Sequence, residues 1–343
     1  MAELPVNLFA AEYADARDLL VIVSTAPNRL TVIDPASGIN AYCALPAAPS
    51  ALALTPDGNS AAVAHAGSVS IVSLSAATPA LERNIALVSD TYSGSDASSI
   101  AYGPDGYVYF FPTENQWVDL RRIEAATGVQ AFFDINDGLY ENVLARLAPS
   151  GNSIYWIDRN SSPRDLHWIN LDAVDMTAYG SSLDSSYHGD YPIGTAGIWF
   201  DHEGYRILTS AGTIFSSTES GSNATDMRYL GTLAPALGNM AVRWASQTDY
   251  GLFSGSSSPL FAAIPYDPSA YTTDLSPRRI VLVSSDDFSQ KGSYDLPLFV
   301  DGAGTATRAQ GAFCFWRSDG SELYVVARSA EAAMTGDFDL IVY

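Results

Sequence analysis

From Ala51 to His65 the chain reads ALALTPDGNSAAVAH: a short apolar run, a Pro56-Asp57-Gly58 turn and a second apolar run. Pro presets the first turn angle, Asp bonds to the backbone two residues on, and Gly accepts a positive φ, so the phrase reads as a hairpin between two strands. It returns as SIAYGPDGYVYFF from Ser99 to Phe111, as ARLAPSGNSIYWI from Ala145 to Ile157, and as CFWRSDGSELYVV from Cys314 to Val326. Looser copies lie at Ala16–Asp18, Asp201–Gly204 and Gln247–Asp249.

With Arg17, Gly58, Gly106, Gly151, Gly204, Asp249 and Gly320 as markers, the turns are spaced by 41, 48, 45, 53, 45 and 71 residues. Roughly forty to fifty residues is the length of one four-stranded propeller blade. The expected fold is all-β: a seven-bladed β-propeller of four-stranded antiparallel blades. A single repeat cannot bury its apolar face alone, so one domain over residues 1–343 is expected rather than several. Its blades fall near 7–48, 49–95, 96–142, 143–193, 194–238, 239–305 and 306–343. In the fourth, the outer strand is placed near Met176–Tyr179. In the irregular sixth, Leu260–Pro265 is taken as the second strand, with Tyr266–Pro277 as a long loop. The last unit runs out after three strands. Residues 2–6 are therefore expected to supply its outer strand and to close the ring without open edges.

The stretches LLVIVSTAPNRLTVIDPASG (residues 19–38) and LPAAPSALALTPDG (residues 45–58) resemble the YVTN-repeat propellers. The likeness is one of rhythm over the first three units: apolar strand, a Val-Ile-Asp ending, a small-residue turn, Pro, then Asp-Gly. The TyrValThrAsn tetrad itself is replaced by ValIleValSer, AlaValAlaHis and TyrPhePhePro. That family includes surface-layer proteins, binding proteins and sugar-lactone hydrolases, so the resemblance implies an architecture and no single activity.

A net charge of −21 and a pI near 4.3 leave no electrostatic footprint for nucleic acid. No apolar run is long enough to span a membrane, so membrane insertion is not expected. The start Met1-Ala2-Glu3-Leu4-Pro5 reads as an initiator methionine ahead of a mature end, which implies an exported, extracellular or periplasmic protein whose signal has been removed. Cys43 and Cys314 stand far apart in apolar strands and are expected to be free, buried thiols.

In a propeller the loops between blades (D–A) and the B–C loops share one face, and the A–B turns occupy the other. Asp57, Asp105 and Asp319 are therefore expected to brace their own turns. The D–A loops carry Asp90 and Tyr92; Asp137, Tyr140 and Glu141; Tyr187, His188, Asp190 and Tyr191; and Asp301 with Arg308. Aromatic faces beside hydrogen-bonding carboxylates suit a glycan or a protein loop. The function expected is a binding or interaction module with its ligand on this face. There, tyrosine tips would contribute to the ligand and little to stability.

Two alternatives come from the same residues. One is a hydrolase or lyase acting on a sugar or lactone, with His188 as general acid or base and Asp190, Glu141 or Asp301 as partner. The other is a structural cell-surface protein. No cofactor is expected. Calcium at Asp134, Asn136, Asp137 and Glu141 is the one metal alternative, since these are oxygen ligands without the twelve-residue frame of an EF-hand. The four histidines, His65, His167, His188 and His202, have no metal-ligand spacing.

Overall fold

The computed structural model describes the chain apart from residues 1, 4–6, 89–95, 115, 134, 136–138, 172–181, 239, 249–258, 268–277, 301–303, 305 and 330–337. Its strands form seven antiparallel sheets arranged as the blades of a β-propeller. Six are four-stranded in chain order. Blade 1, for example, runs Leu8–Ala14, Leu19–Ser24, Arg29–Ile33, Asn40–Ala44, and blade 4 runs Leu144–Leu147, Ser153–Ile157, Leu166–Asn170, Ser182–Asp184. The expected fourth strand of blade 4 near Met176–Tyr179 falls outside the described residues, and the strand that pairs there is Ser182–Asp184. In blade 6, Leu260–Tyr266 is the second strand.

Blade 7 begins with an eleven-residue strand, Ala306–Trp316, followed by Leu323–Ser329 and Phe338–Val342. Its outer strand comes from the other end of the chain: Ala2 pairs with Leu340 and Glu3 with Asp339. The ring is thus closed by the N-terminus. An extra short strand, Leu298–Val300, pairs with Ala306–Arg308 on the opposite edge.

The second strands explain why the repeats read as unbroken apolar runs. In Ser60–His65, Ala62 and Ala64 pack towards blade 3, while Ala61 and Val63 pack towards blade 1. A strand covered on both faces has no polar side to show. The buried side chains divide accordingly into seven clusters, one at each junction between neighbouring blades.

The A–B turns lock onto one another around the opposite face. Asp57 accepts from the Thr55 hydroxyl (2.6 Å) and the Asn59 amide (3.0 Å), Asp105 from the Tyr107 amide (3.1 Å), and Asp319 from the Ser321 amide (2.9 Å). These carboxylates brace their own turns. The turn glycines also bring blades together. A Cβ on Gly151 would lie 2.9 Å from Pro104, and one on Gly204 would lie 3.2 Å from Pro149, the prolines of the preceding turns. Between blades 7 and 1, the Ser318 amide donates to Asp18 at 3.0 Å.

Two expectations about thiols divide. Cys314 is buried, and desolvation holds its thiol far above the usual range. Cys43 is only half-buried, because it sits on the outer strand of blade 1, where one edge faces solvent. His65 is a core residue, with its ring between the Ala48 carbonyl (3.1 Å) and the Ser70 hydroxyl (2.9 Å), and burial lowers its pKa.

Candidate functional site

The loop face over blades 3 and 4 gathers three loops. Val118 and Leu139 exchange backbone hydrogen bonds of 3.2 and 2.9 Å, an isolated bridge that ties the B–C loop of blade 3 to the D–A loop after it. That bridge puts their neighbours, Trp117 and Tyr140, side by side, with ring centroids 4.9 Å apart. Trp117 takes a left-handed φ of 59° and is 61% exposed, a large apolar ring presented to solvent. Next to Tyr140, Glu141 accepts a 3.1 Å hydrogen bond from the Asn160 amide on the B–C loop of blade 4. A tryptophan ring, a tyrosine, a carboxylate and an amide thus share one surface.

The D–A loop after blade 4 is built differently. Tyr187 and Tyr191 are half-buried and belong to the blade 4–blade 5 junction. Tyr191 stacks on Tyr229 at 4.0 Å, Tyr187 meets Tyr191 edge-on at 4.9 Å, and the Tyr187 hydroxyl accepts from the Tyr229 amide at 3.0 Å. Their rings are committed to the neighbouring blade. Asp190 and Arg308 are exposed. Asp90, Tyr92, Asp137 and Asp301, and the calcium alternatives Asp134 and Asn136, lie outside the described residues. Among the described residues, no group of three or more His, Cys, Asp or Glu side chains is arranged to hold a metal ion.

His188 does meet a carboxylate, but not one of those expected. Its Nδ1 lies 3.2 Å from Asp165 Oδ2, on the B–C loop of the same blade. Asp165 is buried, and desolvation raises its pKa. The His188 ring is 82% exposed at a residue with φ of 41°. The arrangement orients an imidazole without enclosing it, since the ring stands open to solvent.

The same blade holds a second histidine between two carboxylates, Asp158 buried and Asp184 half-exposed. His167 lies between Asp158 (2.8 Å to Nε2) and Asp184 (2.5 Å to Nδ1), and its ring stacks on Trp156 at 5.2 Å with an interplanar angle of 10°. Burial alone would lower the imidazole pKa. The hydrogen bonds and charges of Asp158 and Asp184 outweigh it and lift the group to about 10. The triad fastens the B–C loop, the third strand and the outer strand of blade 4 together.

The first strands of all seven blades enclose a central channel with a cavity of about 640 Å³. Glu12 of blade 1 and Arg146 of blade 4 meet across it, with oxygen–nitrogen distances of 3.1 and 3.3 Å. The Arg146 guanidinium lies 4.9 Å from the centre of the Trp244 ring, and Trp244 in turn contacts Phe313 at 4.7 Å and Phe315 at 5.6 Å. At the A–B-turn mouth, desolvation raises Asp15 to about 6, opposed by the charge of His202 and reinforced by Asp18 and Glu12. Neither the channel pair nor Trp117 was expected from the sequence. The signal for the pair is a column: Glu12, Arg146, Trp244 and Phe315 each stand five residues before their turn markers, Arg17, Gly151, Asp249 and Gly320.

No protein-family model matches the chain, and no curated protein does. Solved structures do. The β-propeller domain of Cps50 (Swd1) from Myceliophteria thermophila is 10% identical, with a TM-score of 0.66 and 99% of each chain covered. Kuenenia stuttgartiensis hydrazine synthase is 13% identical, with a TM-score of 0.62 over 100% of this chain and 97% of that one. A chain of the mitotic checkpoint complex is 10% identical, with a TM-score of 0.60 over 98% and 90%. At such identities the likeness shows the fold: this chain is a seven-bladed β-propeller.

Proposed function

We propose that the protein is an interaction module that takes up a segment of a partner protein on the loop face over blades 3 and 4. The observation that carries this reading is Trp117, exposed at 61% and leaning on Tyr140 at 4.9 Å. A large rigid ring with hydrogen-bonding groups around it, here Glu141 and Asn160, is the composition of an interface anchor. Propellers serve widely as scaffolds of this kind, and one similar chain is part of a mitotic checkpoint complex. The 54° tilt between the Trp117 and Tyr140 rings makes a notch for a side chain rather than the single flat surface a sugar ring prefers.

The enzyme alternative draws on His188–Asp165, whose imidazole is 82% exposed and so is not shielded from water. The test is cross-linking and co-purification from the source cells, wild type against Trp117→Ala. A partner held by the wild type and lost by the variant at unchanged melting temperature supports the proposal. Identical capture by both overturns it, as does Trp117-dependent binding on a glycan array in place of any protein.

A further inference from the structure

We propose that the central channel is a second binding site, for an organic cation of the guanidinium or alkylammonium class, and that the Arg146 side chain occupies it as a displaceable resident. The site lies on the channel axis and shares no residue with the loop-face patch.

Three observations converge. The first is a built cage. Glu12 supplies a carboxylate with oxygens 3.1 and 3.3 Å from the Arg146 nitrogens, and Trp244, backed by Phe313 and Phe315, supplies a ring face 4.9 Å from the guanidinium carbon. A carboxylate on one side and an indole on another is the chemistry that recognises a delocalised cation. The chain itself shows the fit by holding a guanidinium there.

The second is access. Arg146 and Glu12 are 28% and 24% exposed, within a cavity of about 640 Å³, so neither is sealed in a dry core. A pair that water reaches gains little from its mutual attraction, so an incoming cation has only a small energy to overcome in taking the carboxylate. The third is charge. Asp15 and Asp201 line the same channel at the A–B-turn mouth together with Arg317 and His202, and the whole molecule carries −21. Its lining carboxylates, Glu12, Asp15 and Asp201, outnumber its arginines, Arg146 and Arg317, and such a cleft in an acidic protein concentrates cations over anions. An anion would have to expel Glu12 from Arg146 against that field.

The probes are N-ethylguanidinium and tetramethylammonium chlorides, titrated into the full chain by calorimetry and by ligand-observed NMR, with sodium acetate as the anionic counterpart. The wild type is expected to bind the cations saturably at millimolar concentration. Glu12→Gln should weaken them tenfold or more, and Arg146→Gln, which empties the cage but keeps a polar side chain, should strengthen them by a similar factor. Acetate should bind none of the three. Equal, unsaturable uptake of cations by all three proteins overturns the proposal, and so does acetate binding lost in Arg146→Gln. Should Arg146→Gln not fold, the wild-type and Glu12→Gln titrations decide alone, since unchanged affinity in Glu12→Gln is sufficient to reject the site.

Discussion

Asp158 Oδ2 lies 2.8 Å from His167 Nε2, and with Asp184 on the other ring nitrogen it makes His167 a cation inside blade 4, only 12% exposed. In the unfolded chain this imidazole titrates near 6.5, and in the folded protein near 10. The native state therefore binds the proton more tightly. Its contribution to stability is complete below pH 6.5, falls as pH rises, and is gone above about 10. His167→Gln should cost on the order of 3 kcal/mol at pH 6, the price of leaving the buried Asp158 carboxylate without its cation, while the half-exposed Asp184 can turn to water. The difference in melting temperature between wild type and variant should shrink steadily from pH 6.5 to 10. A gap independent of pH would mean that the ring is neutral in the fold.

Much of the ring was legible because its repeats are enforced twice, by turns that need Pro, Asp and Gly and by second strands buried on both faces. Leu19–Ser24 and Ser60–His65 could be read as strands without knowing their neighbours. The sites were less legible, for different reasons. Trp117 gains meaning only once the Val118–Leu139 bridge brings Tyr140 beside it, across two strands of the same blade. Glu12 and Arg146 are 134 residues apart and each looks like an ordinary strand charge. Only their shared position relative to the turn shows that they stand at one level of the channel. Tyr187 and Tyr191 lie in a loop rich in Ser, Gly and Asp, a composition that does not say whether a ring faces a ligand or the next blade.

Gly106 and Gly151 hold the same place in consecutive turns, with φ of 83° and 79°. A Cβ on Gly106 meets nothing within 4 Å, whereas one on Gly151 would be 2.9 Å from the Pro104 ring of the preceding blade. Gly106→Ala should therefore cost only the left-handed conformation, about 1 kcal/mol. Gly151→Ala should cost that plus displacement of a rigid proline, about 2 to 3 kcal/mol together. Urea midpoints of the two variants decide it. Equal midpoints would show that the turn-to-turn contact between blades 3 and 4 contributes nothing to stability.

Tyr187 and Tyr191 distinguish a packing role from a ligand role. Both rings are half-buried in the blade 4–blade 5 cluster, Tyr191 face to face with Tyr229 at 4.0 Å and Tyr187 beneath the Arg228 guanidinium at 5.1 Å. Tyr187 also takes the Tyr229 amide on its hydroxyl. Truncation removes ring contacts on two sides and orphans a backbone donor, so Tyr187→Ala should lower stability by about 2 to 3 kcal/mol. Tyr187→Phe, which keeps the ring and loses only the acceptor, should cost about 1 kcal/mol. Neither should change retention of a partner that depends on Trp117, because Trp117 stands on the B–C loop of blade 3 and Tyr187 on the loop after blade 4. The measurement pairs a chemical melt with the co-purification assay at a temperature where all variants are folded. Tyr187→Ala that melts like wild type but loses the partner would move the interface across blade 4 and make the tyrosines part of it.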